Sequence, residues 1–358
     1  MKELILVGAG HAHLLLLARG PRPRARITLV SPRRVHLYSG MLSGWLSGRH
    51  APADLSLDLG ELAARAGASF LEAEVTSLTA DSRLITLADG RALPYDLASL
   101  AVGSAASTLP GRGSAEVLKP VDGALEALAP VLVGNGVLLI VGGGAAGVEL
   151  ALCARARTGR PVVLVSAGPS VPTGGSPALQ RRVAALLRTR GIDCRLGTRV
   201  TALEPHEAAL STGEVQAFST CLWVGRAEPP AFLAASGAAV DARGFLLVSD
   251  ALQSTSHPSL FASGDCVAFA SGQRVSRAGV QAVRAAPALA RNLQVALSGT
   301  GRLRRFRAAA RPLALLDTGE GTALLDWKGL AAEGRALLGL KDRIDRGFMR
   351  RIRAPLFD

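Results

Sequence analysis

The sequence predicts an α/β fold, with two Rossmann-like dinucleotide-binding units in one chain and a small α+β region after them. Three observations carry this expectation. A strand-like apolar run, a glycine turn and a helix-compatible run occur in that order near residue 8 and again near residue 142, and each is followed by the second apolar run that a βαβ unit needs. At 358 residues the chain is long enough for two or three domains. With 49% hydrophobic and 19% charged residues it can build real cores, which excludes a disordered or disulfide-stapled chain.

In the first unit, residues 4–7 read as a strand, Gly8-Ala9-Gly10 as the turn and His11-Ala12-His13-Leu14-Leu15 as the start of a helix, with 27–30 as the next strand. Gly8 permits the turn, and Gly10 removes a side chain where a pyrophosphate would approach the positive helix end. His13 stands where the third glycine of the fingerprint belongs. The acid expected on the ribose after the second strand is also missing, and Ser31 or the Arg33/Arg34 pair must serve instead. His11 opens the helix, so the helix dipole is expected to keep it neutral; hydrogen bonding to a bound ligand and packing beneath it both stay open. His11 and His13 lie two apart and cannot share a helix face, so no metal pair is expected.

Residues 73–87 alternate as paired strands, Asp89-Gly90 marks a turn, and 95–104 reads as a strand ending in a turn at Gly103. The uncharged stretch 127–148 raises the question of a membrane span, but Pro130, Asn135 and its glycines suit a buried strand with loops. That stretch contains the full G-x-G-x-x-G pattern at Gly142, Gly144 and Gly147, with strands at 137–141 and 162–165 on either side of a helix. Glu149 follows two positions later, and Ser166 again replaces the ribose acid. Further on, Leu260-Phe261-Ala262-Ser263-Gly264-Asp265-Cys266 precedes a helix at 278–297. Two strand-like runs, 312–316 and 323–327, then lead to a helical tail at 337–352. In that tail Leu337, Leu340, Ile344, Phe348 and Ile352 recur at three or four, while Lys341, Arg343, Arg346, Arg350 and Arg351 take other positions. Such a basic amphipathic helix packs on its own core or lies on a membrane surface, with core packing favoured.

The net charge of +13 attracts phosphate-bearing partners and anionic membranes, although abundant Arg and Ala read equally well as the composition of the source genome. Only 4% of residues are aromatic, too few for stacking platforms, so nucleic acid is not the favoured partner. Cys153, Cys194, Cys221 and Cys266 form neither a CxxC pair nor a zinc spacing, so no metal is expected. No cleavable leader is read at the start, and a cytoplasmic address is expected, with contact at the inner face of the membrane left open through the C-terminal helix.

Taken in order, these segments resemble the flavoproteins with two dinucleotide-binding domains, over roughly residues 2–297. In that group the first turn binds FAD, the stretch YDLASLAVGS returns the chain to the flavin domain, the second turn binds NAD(P)H, and LFASGDC supplies an Asp to FAD. GAGHAH, LVSP, YSGMLSG, LKPVDG and KDRIDRGFM are most similar to the FAD oxidoreductases related to type II NADH:quinone dehydrogenases, in particular those found beside or fused to selenide, water dikinase. No dikinase portion is present in this sequence.

The resemblance implies an FAD domain at 1–112 and 240–300, an inserted NAD(P)H domain at 113–239 and a C-terminal region at 301–358. It implies FAD held by Gly8, Gly10, His11, Ser31, Tyr38, Gly40, Gly103, Asp265, Gly279 and Val280. NADH or NADPH would be held by Gly142, Gly144, Gly147, Ser166 and Gly225. Glu149 and His11 are the catalytic candidates; for Glu149, facing the nicotinamide and merely complementing the helix dipole are about equally supported. The 36–42 loop lacks the paired cysteines of disulfide reductases, which argues against disulfide reduction. Lys119 reads as a hinge residue or, more simply, as a solvated lysine. The implied activity is an FAD-dependent NAD(P)H dehydrogenase that passes hydride to flavin and electrons to an acceptor such as a quinone. The rival is a flavin-bearing redox sensor or scaffold for a membrane, nucleic acid or selenium-pathway partner.

Overall fold

The computed structural model describes residues 1–20, 24–107, 115–273 and 275–354. Five parallel strands form the first sheet, in the order Leu260–Ala262, Leu97–Leu100, Lys2–Val7, Ala25–Ser31, Ser69–Glu72. Leu4, Ile5, Leu6 and Val7 are all buried, as a central parallel strand covered on both faces requires. An antiparallel meander (Val75–Thr79, Leu84–Leu87, Ala92–Pro94) carries the chain from the edge strand back to the middle of the sheet.

The second sheet repeats this plan. Its parallel order is Glu116–Val117, Thr220–Trp223, Leu138–Val141, Val162–Ser166, Asp193–Leu196, and its meander is Val200–Glu204, Glu207–Leu210, Val215–Ala217. No short repeat is visible in the sequence, because what recurs is the order of strands and turns. The expected boundary at 112/113 lies outside the described residues. The uncharged 127–148 stretch holds the buried strand expected, Leu138–Val141, but its first part is not a loop: it belongs to the helix Ala124–Val133, with Pro130 inside, and its end starts the helix Ala145–Thr158. Among the described residues no helix is long and apolar enough to cross a membrane.

His13, in the place of the third glycine, is fully buried under the first turn. Its Nδ1 lies 2.7 Å from Gly8 O, which can only accept, so Nδ1 carries the proton and Nε2 accepts from the Ser99 hydroxyl at 2.8 Å. The imidazole thus ties the glycine turn to the neighbouring strand. Burial lowers its pKa from 6.5 to about 4 against the opposing Gly8 hydrogen bond. In the unfolded chain His13 titrates near 6.5, so between these values the unfolded state binds the extra proton. The stability this residue contributes is complete above about pH 6.5 and is lost as pH falls toward 4. His13→Ala is expected to cost about 3 kcal/mol, from the cavity and two stranded polar groups, and to flatten the loss of urea midpoint between pH 7 and 5.

After the long helix Gly279–Ser298, the C-terminal region forms a three-stranded antiparallel sheet and the helix Arg335–Arg353. The strands Ala314–Asp317 and Ala323–Trp327 follow the expectation. The third, Leu330–Gly334, was not anticipated, since Leu-Ala-Ala-Glu-Gly carries little alternation. This sheet packs on the helices Ala145–Thr158 and Pro177–Thr189 of the second unit, whereas the final helix packs on His11–Arg19 of the first. One short region therefore braces both units.

The inward face of that helix differs from the apolar stripe read in sequence. Phe348 and Ile352 are buried, but so are Leu338, Met349, Lys341 and Asp345, while Leu340 and Ile344 are 37% and 45% exposed. Lys341 and Asp345 can face inward because they satisfy each other, Nζ to Oδ2 at 2.8 Å, and because both find further partners below.

Candidate functional site

The first turn is held by the chain's own backbone. Gly8 N–H donates to Val30 O at 2.8 Å, and Gly10 N–H donates to Ala101 O at 3.0 Å. A Cβ on either glycine would sit 2.6 Å from Ala101 O. Gly10 is therefore required by strand packing, and its amide is already engaged. The amides left at the helix end are those of His11 and Ala12, and no side chain caps them. Gly103 has φ +68°, and a Cβ there would meet nothing within 4 Å.

His11 gathers the surrounding elements. Its ring meets Tyr38 edge-on at 5.5 Å and Phe348 at 5.2 Å, and Tyr38 stacks on Phe348 at 4.7 Å. A Cβ on Gly279, the first residue of the long helix, would lie 3.0 Å from His11 Nε2. The imidazole is neutral as expected but for another reason: burial first, then the nearby His36, lower its pKa to about 4 against the attraction of Asp265. The next residue of the long helix, Val280, is 37% exposed. Phe348 was read only as part of a helical stripe; a stacking role depends on the distant Tyr38 and leaves no local signal.

Tyr38 donates its hydroxyl to Asp345 Oδ1 at 2.9 Å, and Lys341 Nζ donates to Gly40 O at 2.6 Å. Burial and Asp345 hold the Tyr38 phenol far above its ordinary range. Gly40 leaves room for the Tyr38 ring, since a Cβ there would lie 2.7 Å from its hydroxyl. Ser31 is buried, and the Arg33/Arg34 pair is already engaged: Arg33 with Glu126 and Arg34 with Asp58, each at 2.8 Å.

In the second turn a Cβ on Gly142 would overlap Val224 O, and one on Gly147 would overlap Gly142 O, so these two glycines close the strand against the helix. Gly144 differs. It is the uncapped N-cap of the helix, and a Cβ there would meet nothing within 4 Å. Ser166 is 1% exposed; its hydroxyl accepts from Gly168 N–H at 3.2 Å and is covered by Gly143, which leaves Ala167 as the exposed neighbour. Gly225 makes room for the Trp223 indole, which donates to Ser107 Oγ at 3.2 Å.

Glu149 joins all three parts of the chain. Its Oε1 accepts from Ser43 Oγ at 2.9 Å and from Asp317 N–H at 2.8 Å, with Lys341 Nζ at 3.9 Å. Burial pushes its pKa up, and Lys341 opposes that shift most strongly. Beside it, Arg49 bridges Asp317 and Asp342. Asp317, Asp342 and Arg49 lie far apart in sequence and were not anticipated. Asp265 and Lys119 also meet. Lys119 Nζ lies 3.0 Å from Asp265 Oδ2, which corrects the solvated reading of this lysine.

Two uncapped helix ends, the second with open space at its N-cap, fit two dinucleotides. In addition, the buried His36 Nε2 and Ser263 Oγ find no partner among the described residues, which suits a polar ligand beside the first turn. Among those residues no cluster of His, Cys, Asp or Glu could hold a metal ion.

Comparison with known proteins agrees with this geometry. The chain is 29% identical to a NADH dehydrogenase-like protein of Mycobacterium tuberculosis, over 75% of this chain and 73% of that one. It is 26% identical to putidaredoxin reductase of Pseudomonas putida, over 75% and 67%. The sulfide:quinone oxidoreductase of Aquifex aeolicus superposes with a TM-score of 0.82 at 18% identity, covering 99% of this chain and 92% of that one, a likeness of fold. The pyridine nucleotide-disulphide oxidoreductase family matches residues 2–290. With both nucleotide turns inside that span, the chain belongs to this family and is an FAD-dependent NAD(P)H oxidoreductase.

Proposed function

We propose that the chain is an NAD(P)H dehydrogenase that delivers electrons to a quinone at an anionic membrane surface. One observation supports the dehydrogenase reading: Glu149, on the helix of the second turn, accepts a hydrogen bond from Ser43 on the short helix Leu42–Leu46 of the first unit, which favours one shared site for the two nucleotides. Bound FAD supplies the isoalloxazine that accepts hydride from NAD(P)H. The chain's part is to hold the two nucleotides in register and exclude water. His11 and Ala12 amides would face the pyrophosphate, and neutral His11 would offer a hydrogen bond without adding charge. Glu149, held between Ser43 and Lys341, would orient the nicotinamide or hold a proton.

The acceptor reading rests on charge. Residues 266–316 contain nine arginines and no acidic residue. The segment after the long helix runs back along it, clipped by Asn292 Nδ2 to Arg304 O at 2.9 Å and Gln281 Nε2 to Ala309 O at 2.7 Å. Arg284, Arg291, Arg302, Arg304, Arg307 and Arg311 are exposed, and none has an acidic partner among the described residues. The final helix separately exposes Leu340 and Ile344 beside Arg343 and Arg346. Each feature suits anionic lipid. Binding to phosphatidylglycerol vesicles is expected at low salt and should be lost near 1 M salt, where the Debye length is about 3 Å. Anaerobic bleaching by NADH and reoxidation by a short-chain quinone test the activity; a flavin that no nucleotide bleaches would overturn it.

Nucleotide choice is open at Ala167. With neither an acid nor a cation on the 167–176 loop, modest discrimination between NADH and NADPH is expected. Ala167→Arg should shift the ratio of kcat/KM toward NADPH by about tenfold, by pairing with the 2′-phosphate. An unchanged ratio places the ribose elsewhere.

A further inference from the structure

We infer that Lys119 is a positioning residue for FAD: a cation carried on the segment entering the second unit, which fixes Asp265 with one carboxylate oxygen free for the ligand. This rests on the FAD reading above. Lys119 Nζ donates to Asp265 Oδ2 at 3.0 Å and to Ser104 Oγ at 2.8 Å, and the Ser104 hydroxyl donates to the same Oδ2 at 3.4 Å. Both contacts fall on one oxygen. Oδ1 has no protein partner among the described residues and is left for the hydroxyls of a sugar-like chain. The Asp265 backbone is fixed as well, its carbonyl accepting from Arg277 Nη1 at 2.8 Å.

The charge matters as much as the geometry. Asp265 adds a negative charge to a site that must accept a pyrophosphate and a flavin that gains negative charge on reduction. Lys119 cancels it within one hydrogen bond, on a side chain only 38% exposed. Three residues on, Asp122 meets the buried His36 at 3.0 Å, so the same segment grips the first unit twice. FAD binding and the seating of the second unit are thereby coupled through residues 119–122.

Lys119→Met keeps the apolar stem and removes the charge. It is expected to weaken FAD binding about tenfold, read from the fluorescence of released flavin. It should also lower the flavin midpoint potential by about 30 mV, the two-electron equivalent of a tenfold loss of preference for the reduced form. Lys119→Arg should recover most of both. Thermal unfolding of the FAD-free variant controls for folding and is expected to match the parent chain. Unchanged affinity and potential in Lys119→Met would overturn the inference, and tighter FAD binding would show that Lys119 competes with the ligand. A parent chain that binds no FAD would instead defeat the cofactor reading itself.

Discussion

Gly144→Val is expected to give a folded, yellow protein that NADH no longer bleaches. Gly144 has ordinary extended backbone angles at the mouth of the second helix, and a Cβ there meets open space, so the chain itself accommodates the side chain. A dinucleotide phosphate approaching that helix end would not. Loss of nucleotide affinity by about 100-fold, or ~2.7 kcal/mol, is expected, with FAD content unchanged. Gly10→Val makes the contrast. Its side chain would strike the Ala101 backbone, so this variant should lose flavin together with stability. Anaerobic titration and the visible spectrum of the two variants decide the matter; normal bleaching of Gly144→Val would remove the second turn from the site.

The second large effect is expected at Glu149. Glu149→Gln keeps an acceptor for Ser43 and for the Asp317 amide but removes the charge facing Lys341. Flavin reduction should slow tenfold or more, about 1.4 kcal/mol of barrier, with FAD content and unfolding temperature nearly unchanged. Glu149→Ala removes the acceptor too. It strands the Asp317 N–H and weakens the junction of the three regions, and about 2 kcal/mol of stability should go with the rate. Stopped-flow bleaching and urea unfolding on both variants separate the roles: an unimpaired rate in Glu149→Gln would leave this residue a purely structural one.

The glycine turns were legible because each demand is local. A tight turn, an uncapped helix end and a following apolar strand all fall within about thirty residues. The packing reason for Gly10 was not legible, since Ala101 approaches from another strand. His13 was visible only as a missing glycine, and its partner Ser99 lies in a strand reached after the meander. The final helix shows the limit of periodicity most clearly. Leu340 and Ile344 obey the spacing of a core face yet are exposed, while Lys341 and Asp345 break it and are buried, because Tyr38 and the Gly40 carbonyl wait for them on a surface remote in sequence. Lys119 was misread for the same reason: its acid arrives almost 150 residues later.

The bracing of both units by residues 314–353 has a consequence for the order of assembly during synthesis. Each nucleotide turn and most of its sheet emerge from the ribosome before the final helix exists, and domains generally fold as units in that order. Until residues 314–353 are made, Tyr38 has no Phe348 to stack on, and Glu149 lacks first Asp317 and then Lys341. A nascent chain therefore passes through a stage with two formed cradles and an unfinished pocket between them. In that interval exposed aromatic and acidic groups await their partners, and early capture of flavin would protect the chain from misassembly.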